Sequence, residues 1–387
     1  MNRIARYLDY AIEANIALVL FTFPFALHFF NDAWMALLIL YAAIKLLRRE
    51  RIVLPPTAPF MIIFVILTVF SVVISHVGFG KIRYLTMGVG TCLFAYDWFS
   101  FDKKRLSRVA FYFITSAMLA SCIALYDELF LSLPANYRAQ GPFGNTFYLA
   151  LWSGIGIFIG MIVLTKNREH AMFIYLLGAI VVMICAFILS KTRAPWIAMI
   201  LVMGLTFYFS PNKRTVLILS GVLAVLFASI ATFDESVRAR LLAVVHNEND
   251  LRWPMWQKTV EGMLEKFGLC DWLFGRGPRT YSIELPFHGQ SMKFVFPHFL
   301  PMELLYSLGI LGTVAFLTWI GILFYRTVRL LRESVSWSTL RPIGMTAFLV
   351  FFICFFNESF FARYFSFPFW FFLGISLALV HERERTG

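Results

Sequence analysis

The fold class is decided by twenty residues without a single charge, residues 171–190: AMFIYLLGAIVVMICAFILS. About 20 apolar residues are what an α-helix needs to cross the hydrocarbon part of a bilayer. The rest of the sequence has the same character, because 60% of its residues are hydrophobic, 18% aromatic and 14% charged, with a mean hydropathy of +0.74. Soluble domains are roughly half apolar and a quarter charged. The composition therefore predicts an all-α integral membrane protein and excludes an ordinary soluble one.

Further apolar stretches on both sides bring the predicted number of transmembrane helices to about twelve. They are expected at 10–30, 33–47, 58–77, 82–98, 108–127, 146–164, 194–210, 215–233, 299–324, 342–357 and 365–381. The chain thus divides into helices 1–9 over residues 1–233, a large outer loop over 234–298, and helices 10–12 over 299–387. The N-terminal segment lacks a small-residue cleavage site, so it is expected to be a retained first helix rather than a signal peptide.

The basic residues orient these helices. With the N-terminus in the cytoplasm, twenty of the 34 Lys and Arg fall in inner segments, six in short outer loops and eight in the 234–298 loop. Cytoplasmic loops carry an excess of Lys and Arg, so both termini are predicted to be cytoplasmic. The net charge of +12 is therefore interpreted as a topology signal, not as a sign of nucleic-acid binding. The six outer cations oppose the rule and need a reason; they are Lys81, Arg83, Arg138, Lys191, Arg193 and Arg363.

The 234–298 loop is expected to contain its own helices. Residues 235–246 predict a short helix, and an amphipathic helix follows whose tryptophans suit the membrane interface or a cap on the bundle. The apolar stripe of that second helix is Trp253, Trp256, Val260, Met263, Leu264 and Phe267. Glycines at 275 and 277 then break the chain, next to the secondary candidate cations Arg276 and Arg279. The five cysteines show neither metal-ligand nor redox spacing.

Two outer segments carry candidate anion-binding groups. The first runs from Arg138 to Asn145, where an arginine and an amide supply donors; the alternative is an ordinary turn with a solvated arginine. The second is Ser190-Lys191-Thr192-Arg193, two cations with two hydroxyls between apolar spans. A guanidinium can hold two phosphate oxygens at once, and a helix N-terminus also attracts anions. The alternative, a stop-transfer charge pair, is disfavoured on the outer side.

Two further segments carry Arg252 and His298. Arg252 either faces the bundle or satisfies Asp250. His298 precedes the tenth helix, with Glu303 about one turn further on. A histidine there can titrate near neutral pH and exchange a proton with a substrate hydroxyl, although a lone histidine is more often structural. Arg363, at the last outer turn, is a further candidate, with Asn357 and Glu358 as possible partners.

The sequence lacks the common cofactor and metal motifs. It has no P-loop, no Rossmann glycine fingerprint, no His-Glu-x-x-His, no nucleophile-elbow serine and no Asp-x-Asp pair. A metal-free and nucleotide-free reaction without a cofactor is therefore expected. An activated lipid-linked donor, a sugar diphosphate on a polyprenol held by arginines, fits this expectation.

Taken in order, five segments resemble the O-antigen ligase superfamily. They are Arg138 to Asn145, Ser190 to Trp196, Arg252 to Trp256, Gly275 to Pro278, and Pro297-His298 with the following helix up to Gly312. The resemblance implies a GT-C-like glycosyltransferase of the bacterial inner membrane, with a periplasmic active site. Such an enzyme moves O-antigen from undecaprenyl diphosphate to lipid A-core, inverting the anomeric centre without a metal.

The resemblance also carries residue roles. Arg193, Arg252 and His298 match the family's functional arginines and histidine, and Arg138 matches its loop motif. We expect these arginines and Lys191 to hold the diphosphate, and His298 to deprotonate or align the acceptor hydroxyl or to contact the diphosphate. Asn145, Arg276, Arg279, Glu303 and Arg363 are secondary candidates. Where the family commonly has Asn after Pro-His, this chain has Phe299.

Other functions remain open at this point. O-antigen polymerases and protein O-oligosaccharyltransferases share the donor but not the acceptor, and the short chain with one modest outer loop favours a ligase. A secondary transporter is disfavoured, because the halves show no symmetry and the spans few charges. The expected partners are the lipid-linked glycan donor, the lipid A-core acceptor and membrane lipid, with no nucleic acid; the oligomeric state is not predicted.

Overall fold

The structure is a computed structural model. It describes residues 3–25, 27–100, 103–131, 138–164, 169–209, 213–235, 237–239, 242, 252–287, 290–332, 344–355, 359 and 361–386. The helices are α1 (Arg3–Phe25), α2 (Leu27–Leu47), α3 (Ala58–Ile74), α4 (Arg83–Phe99), α5 (Lys103–Phe130), α6 (Thr146–Leu164), α7 (His170–Leu189), α8 (Arg193–Phe209), α9 (Lys213–Phe233), α10 (Arg252–Lys266), α11 (Leu269–Phe274), α12 (Leu300–Arg332), α13 (Gly344–Phe355) and α14 (Arg363–Thr386). Two strands, β1 (Ile283–Phe287) and β2 (Gln290–Phe294), form one hairpin.

Each of the twelve predicted apolar stretches corresponds to one helix, α1–α9 or α12–α14. Among the described residues, six helical segments are long and apolar enough to cross a membrane. They are Arg6–Phe25, Phe29–Leu47, Lys104–Phe130, Thr146–Leu164, His170–Leu189 and Leu300–Arg329. Helix α3 and the apolar parts of α8, α9 and α14 are shorter. The helical membrane class is therefore confirmed, while twelve crossings stay a prediction.

Helix α6 lies in the middle of the bundle. Its residues 147–162 are all buried, and the ring of Trp152 stacks on Phe23 of α1 at 4.2 Å. Helices α4 and α14 approach closely at a glycine, since a Cβ on Gly88 would lie 2.1 Å from the Trp370 ring. Small residues that let helix backbones approach are typical of packing inside membranes.

One end of the bundle holds many of the cations that orient the chain. The buried carboxylate of Asp97, 2% exposed, accepts the Lys45 ammonium at 2.7 Å. Asp9 pairs with Arg48 at 2.9 Å and with Arg105 at 3.1 Å. These cations therefore also neutralise acidic groups of neighbouring helices, and this end is called the basic end below.

The candidate segments lie at the opposite end. Helix α5 carries Arg105 near the basic end and Glu128 near its other terminus, 23 residues further on, which is about 35 Å at 1.5 Å per residue. Glu128 pairs with Lys191, and the ring of Phe143 packs 5.8 Å from that of Phe23 near the end of α1. The opposite end, called the motif end below, thus contains the α7–α8 connection, the described part of the α5–α6 connection, and Asp234 after α9.

The 234–298 loop is only partly helical. Within the expected helix 235–246, the described residues 235, 237–239 and 242 are helical, and α10 and α11 follow. The hairpin was not predicted, and it pairs Ile283 with Phe294 and Leu285 with Met292. Every second residue of β1 is apolar (Ile283, Leu285 and Phe287), but β2 begins with two polar residues and its Met292 is exposed. The alternation that is typical of a strand with one covered face is therefore weak. The loop therefore contains helices, as expected, together with a hairpin that was not predicted.

The buried face of α10 also differs from the predicted stripe. Met255, Thr259 and Met263 are buried, whereas Trp253 and Leu264 are exposed. Thr259 can be buried because its hydroxyl donates to the Met255 carbonyl at 2.6 Å and lies 2.7 Å from the Tyr281 hydroxyl. Burial raises the pKa of Tyr281 to about 12, as expected for a phenol that contacts Thr259 of α10 and Tyr306 of α12.

Glycines dock this loop onto the bundle. Helix α12 is broken at Gly309 (φ 66°, ψ −171°), so some carbonyls ahead of the break lack helical partners. The backbone N–H groups of Arg276 and Gly277 donate to the carbonyls of Tyr306 (2.9 Å) and Ser307 (3.0 Å). A Cβ on Gly275 would lie 2.3 Å from the Ser307 backbone. The predicted chain break at 275–278 is therefore the docking point of the loop.

Candidate functional site

The first two candidate segments form one unit. The Arg138 guanidinium donates from Nε to the Ser190 carbonyl at 3.2 Å and from Nη2 to the Thr192 hydroxyl at 3.0 Å. The backbone N–H of Ala139 donates to the Leu189 carbonyl at 3.1 Å. We call Arg138 with residues 190–193 the arginine turn. The pairing brings together groups that are more than fifty residues apart in the sequence.

Local chemistry shapes this turn. Helix α7 ends at Leu189, and Lys191 has a left-handed backbone conformation with φ 53°. The Ser190 hydroxyl and the Trp196 indole N–H both donate to the Phe187 carbonyl, at 2.7 and 3.2 Å. Helix α8 then begins at Arg193. Its N-terminus, which attracts negative charge through unpaired N–H groups and the helix dipole, therefore opens beside the turn.

Lys191 is buried among acids. Its side chain is 3% exposed, and its ammonium lies 3.6 Å from Glu128 Oε1 and 3.5 Å from Asp234 Oδ2. Glu128 belongs to the end of α5, and Asp234 directly follows α9. Asp234 also accepts the Val237 backbone N–H at 3.1 Å, which starts the next helical segment. Lys191 therefore links three parts of the chain.

The last two candidate segments also meet. The indole N–H of Trp256 donates to the Pro297 carbonyl at 2.8 Å, and its ring lies 5.1 Å from that of Phe299. His298 is half-buried, adopts φ 51°, and its ring centroid lies 4.2 Å from that of Phe296. The Trp256 contact fixes the backbone next to this histidine. Arg252 opens the same helix, α10, and is half-buried like Arg193.

Phe299 has an apolar role. Its ring packs between Trp256 and Phe355, the latter at 5.3 Å and nearly perpendicular. This position therefore joins α10 to α13 through ring contacts.

Glu303 lies one turn into α12. It is buried, 4% exposed, and its carboxylate accepts a hydrogen bond from the Ser359 hydroxyl. Its backbone N–H donates to the Phe299 carbonyl at 3.0 Å. The pair ties the start of α12 to the segment before α14, where Arg363 is the first helical residue. The side chain of Arg363, and residues 250, 357 and 358, lie outside the described residues.

Residues 178–317 match the family model described as O-antigen ligase. Over these residues the chain is similar to that family. The match supports the superfamily to which the sequence motifs point, and members of that superfamily are membrane glycosyltransferase-like enzymes. No curated protein was found to match the chain.

The region that matches the family model covers most of the candidate groups. It includes residues 190–193 of the arginine turn, the start of α10, His298 and the break in α12. Arg138 precedes the matched region and reaches it through its hydrogen bonds to Ser190 and Thr192. Helix α13 follows the matched region and packs against both α8 and α12. It therefore connects the helix that begins at Arg193 with the helix that follows His298.

Three secondary candidates serve the local structure or lie on the surface. The Asn145 side chain accepts the Phe147 N–H at 2.8 Å, as the N-cap of α6. The Arg276 guanidinium contacts the carboxylate of Asp271 and lies 4.6 Å from the Phe267 ring. Arg279 is exposed, with φ 59°.

Glu128, Asp234 and Ser359 contact candidate residues but were not predicted from the sequence. Glu128 carried a usable signal, because an acidic residue at the end of a predicted span is rare enough to need a partner. Within the described ranges, no three His, Cys, Asp or Glu side chains are grouped as a metal site requires.

Proposed function

We propose that this protein is an O-antigen ligase of the bacterial inner membrane. It transfers O-antigen polysaccharide from undecaprenyl diphosphate to the lipid A-core oligosaccharide on the periplasmic face. The observation that carries this proposal is that hydrogen bonds connect motifs that are distant in the sequence at one end of the bundle. Arg138 donates to Ser190 and Thr192, and Trp256 donates to Pro297. The match to the O-antigen ligase model over residues 178–317 supports it.

Arginines hold the donor in this proposal. Arg138, Arg193 and Arg252 bind the diphosphate, because a planar guanidinium can donate two parallel hydrogen bonds to phosphate oxygens. The N-terminus of α8 adds partial positive charge at Arg193. As the glycosidic bond to the diphosphate breaks, these groups stabilise the developing negative charge. Lys191 faces two carboxylates and is left out of this set.

His298 acts on the acceptor. The acceptor hydroxyl attacks the anomeric carbon from the face opposite the diphosphate, so the configuration inverts. One C–O bond forms, the bond to the diphosphate breaks with its electron pair, and the hydroxyl proton passes to His298. The imidazole suits this role because its ordinary pKa is near neutral. Positive charge from the arginines makes the departure of the diphosphate favourable without a metal or another cofactor.

The membrane arrangement follows from the two ends of the bundle. Helices α1–α9 and α12–α14 form twelve spans in a GT-C-like arrangement, with both termini and the basic end in the cytoplasm. The motif end is periplasmic, where lipid-linked glycan and lipid A-core are available. The excess of Lys and Arg in the segments assigned to the basic end supports a cytoplasmic location for it.

Lipopolysaccharide gels from cells with and without the gene test the proposal. Loss of long O-chains from an otherwise complete core is expected when the gene is deleted. Core carrying a single repeat unit would instead assign the protein as a polymerase.

Substitution of the reacting groups tests the site separately. His298→Ala and Arg193→Ala should abolish ligation in cells that insert normal amounts of the protein. Arg238→Ala is the matched control, because Arg238 is exposed and its described ion pair, at 3.2 Å, is with Glu235 three residues earlier. Wild-type ligation in both site variants would refute the assignment.

A further inference from the structure

Lys191 is the most buried cation at the motif end for which the structure describes an ion pair. Its side chain is 3% exposed, compared with 19% for Glu128 and 25% for Asp234. Burying an ammonium is unfavourable unless opposite charges compensate for the lost water. Here two carboxylates, 3.6 and 3.5 Å away, provide that compensation.

The charge balance argues against a direct contact between Lys191 and the donor. Because two carboxylates lie 3.6 and 3.5 Å from the ammonium, its charge is compensated within the protein. This compensation weakens the attraction of Lys191 for a diphosphate. In the sequence, Lys191 is a cation between two residues with hydroxyl groups. Its carboxylate partners, Glu128 and Asp234, are 63 positions earlier and 43 positions later.

The same cluster controls the geometry of the arginine turn. Lys191 lies between the Ser190 carbonyl and the Thr192 hydroxyl, the two acceptors that hold the Arg138 guanidinium. Its own backbone is left-handed, φ 53°, a conformation that a residue with a Cβ keeps only when its surroundings impose it. The two ion pairs anchor the turn to the end of α5 and to the residue after α9.

We propose that Lys191 is a positioning residue. Through Glu128 and Asp234 it clamps the α7–α8 turn, so that Arg138 and Arg193 are held ready for the diphosphate of the lipid-linked donor. The inference rests on the proposed glycosyl transfer and deepens it, because it separates the arginines that bind the donor from the lysine that holds them in place.

A set of isosteric variants tests the clamp. Lys191→Met keeps the length of the side chain but leaves two carboxylates facing each other. We expect the kcat per folded molecule to fall about 100-fold, the size of effect that follows a misplacement of about 1 Å. The triple variant Glu128→Gln/Lys191→Met/Asp234→Asn removes all three charges, and Asn can still accept the Val237 N–H. It should recover at least 10-fold over Lys191→Met, because a neutral cluster of similar shape can hold the turn.

The outcomes separate the possible roles. If Lys191 binds the donor directly, the triple variant will stay as inactive as Lys191→Met, because neither contains the ammonium. If its role is only general stability, the yield and the unfolding temperature will fall while the kcat per folded molecule stays at the wild-type value. Either result overturns the proposal. Lys81→Met is the control, since Lys81 is an exposed lysine at the same end and should keep wild-type kcat.

The assay also distinguishes this inference from the proposed function. Purified protein in nanodiscs receives the lipid-linked glycan together with lipid A-core, and products are separated by size. The wild-type product tests the function: glycan on core supports ligation, whereas lengthened lipid-linked glycan indicates polymerisation. The ratios among the Lys191 variants test the clamp with whichever product forms, because both reactions use the same donor.

Discussion

Replacing Gly309 by alanine tests how the outer loop is docked on the bundle. Gly309 interrupts α12 with φ 66° and ψ −171°, a region of backbone space that is essentially restricted to glycine. A Cβ there would lie 2.4 Å from the carbonyl carbon of Leu273 and 2.5 Å from the amide nitrogen of Phe274. Both are backbone atoms, so no side-chain rotation relieves the contact.

The expected loss of stability can be estimated from these two effects. Backbone strain of this kind costs about 1–3 kcal/mol, and overpacking typically costs a further 1–3 kcal/mol. A total of about 2–6 kcal/mol is a large part of the roughly 5–15 kcal/mol that stabilises a typical domain. Since α11 docks where α12 breaks, Gly309→Ala should release this contact and displace the segment that carries Arg276 and Gly277.

Thermal unfolding of the purified protein in detergent measures the effect. Gly309→Ala should lower the midpoint by more than about 5 °C, because each kcal/mol shifts it by roughly 2–4 °C in a domain of 150–250 residues. The control is Gly321→Ala in the same helix, where a Cβ meets no atom within 4 Å. That change should be neutral or stabilising, since alanine favours a helix over glycine by about 1 kcal/mol. Equal midpoints for Gly309→Ala and the wild type would refute the docking geometry.

Two smaller substitutions probe the two halves of the candidate site. Trp256→Phe removes the indole N–H that holds the backbone ahead of the candidate histidine, so the initial rate of ligation should fall several-fold. Trp253→Phe is the control, because Trp253 lies on the exposed side of the same helix, and its rate should stay unchanged. Equal rates in the two variants would contradict the positioning role of the Trp256 indole. Asn145→Ala removes the N-cap of α6 and should lower stability by about 1 kcal/mol, measured as a lower unfolding midpoint with unchanged kcat. Asn145→Asp should keep the cap, and a loss of kcat in that variant at normal stability would indicate a direct role for the amide.

The helices were predictable because a span needs about twenty apolar residues and little else. The stretch 171–190, for example, agrees with helix α7 (His170–Leu189) to within one residue at each end. The hairpin at 283–294 was missed because its strands are five residues long and alternate apolar and polar residues only weakly. The buried face of α10 was misjudged at Thr259, whose hydroxyl becomes compatible with burial through its contact with Tyr281.

The candidate site was predictable as a set of residues but not as a geometry. Arg193, Arg252 and His298 were identified from short motifs, and the family match over 178–317 covers all three. Their contacts depend on residues far away in the sequence. The Arg138 guanidinium finds its acceptors at 190 and 192, and the Trp256 indole finds its acceptor at 297.

By itself, the sequence determined that this chain is a helical membrane protein, and it predicted an unequal distribution of cations between the two sides of the membrane. Hydrophobicity and charge are properties of single residues, so these predictions need no knowledge of which segments come into contact. Only the tertiary structure decided the partners of Arg138 and Lys191. In the sequence, Lys191 is a cation near a helix N-terminus, like Arg193. The structure places Glu128 and Asp234 at 3.6 and 3.5 Å from its ammonium. Electrostatic roles depend on distance, and distances between remote segments exist only after the helices have packed.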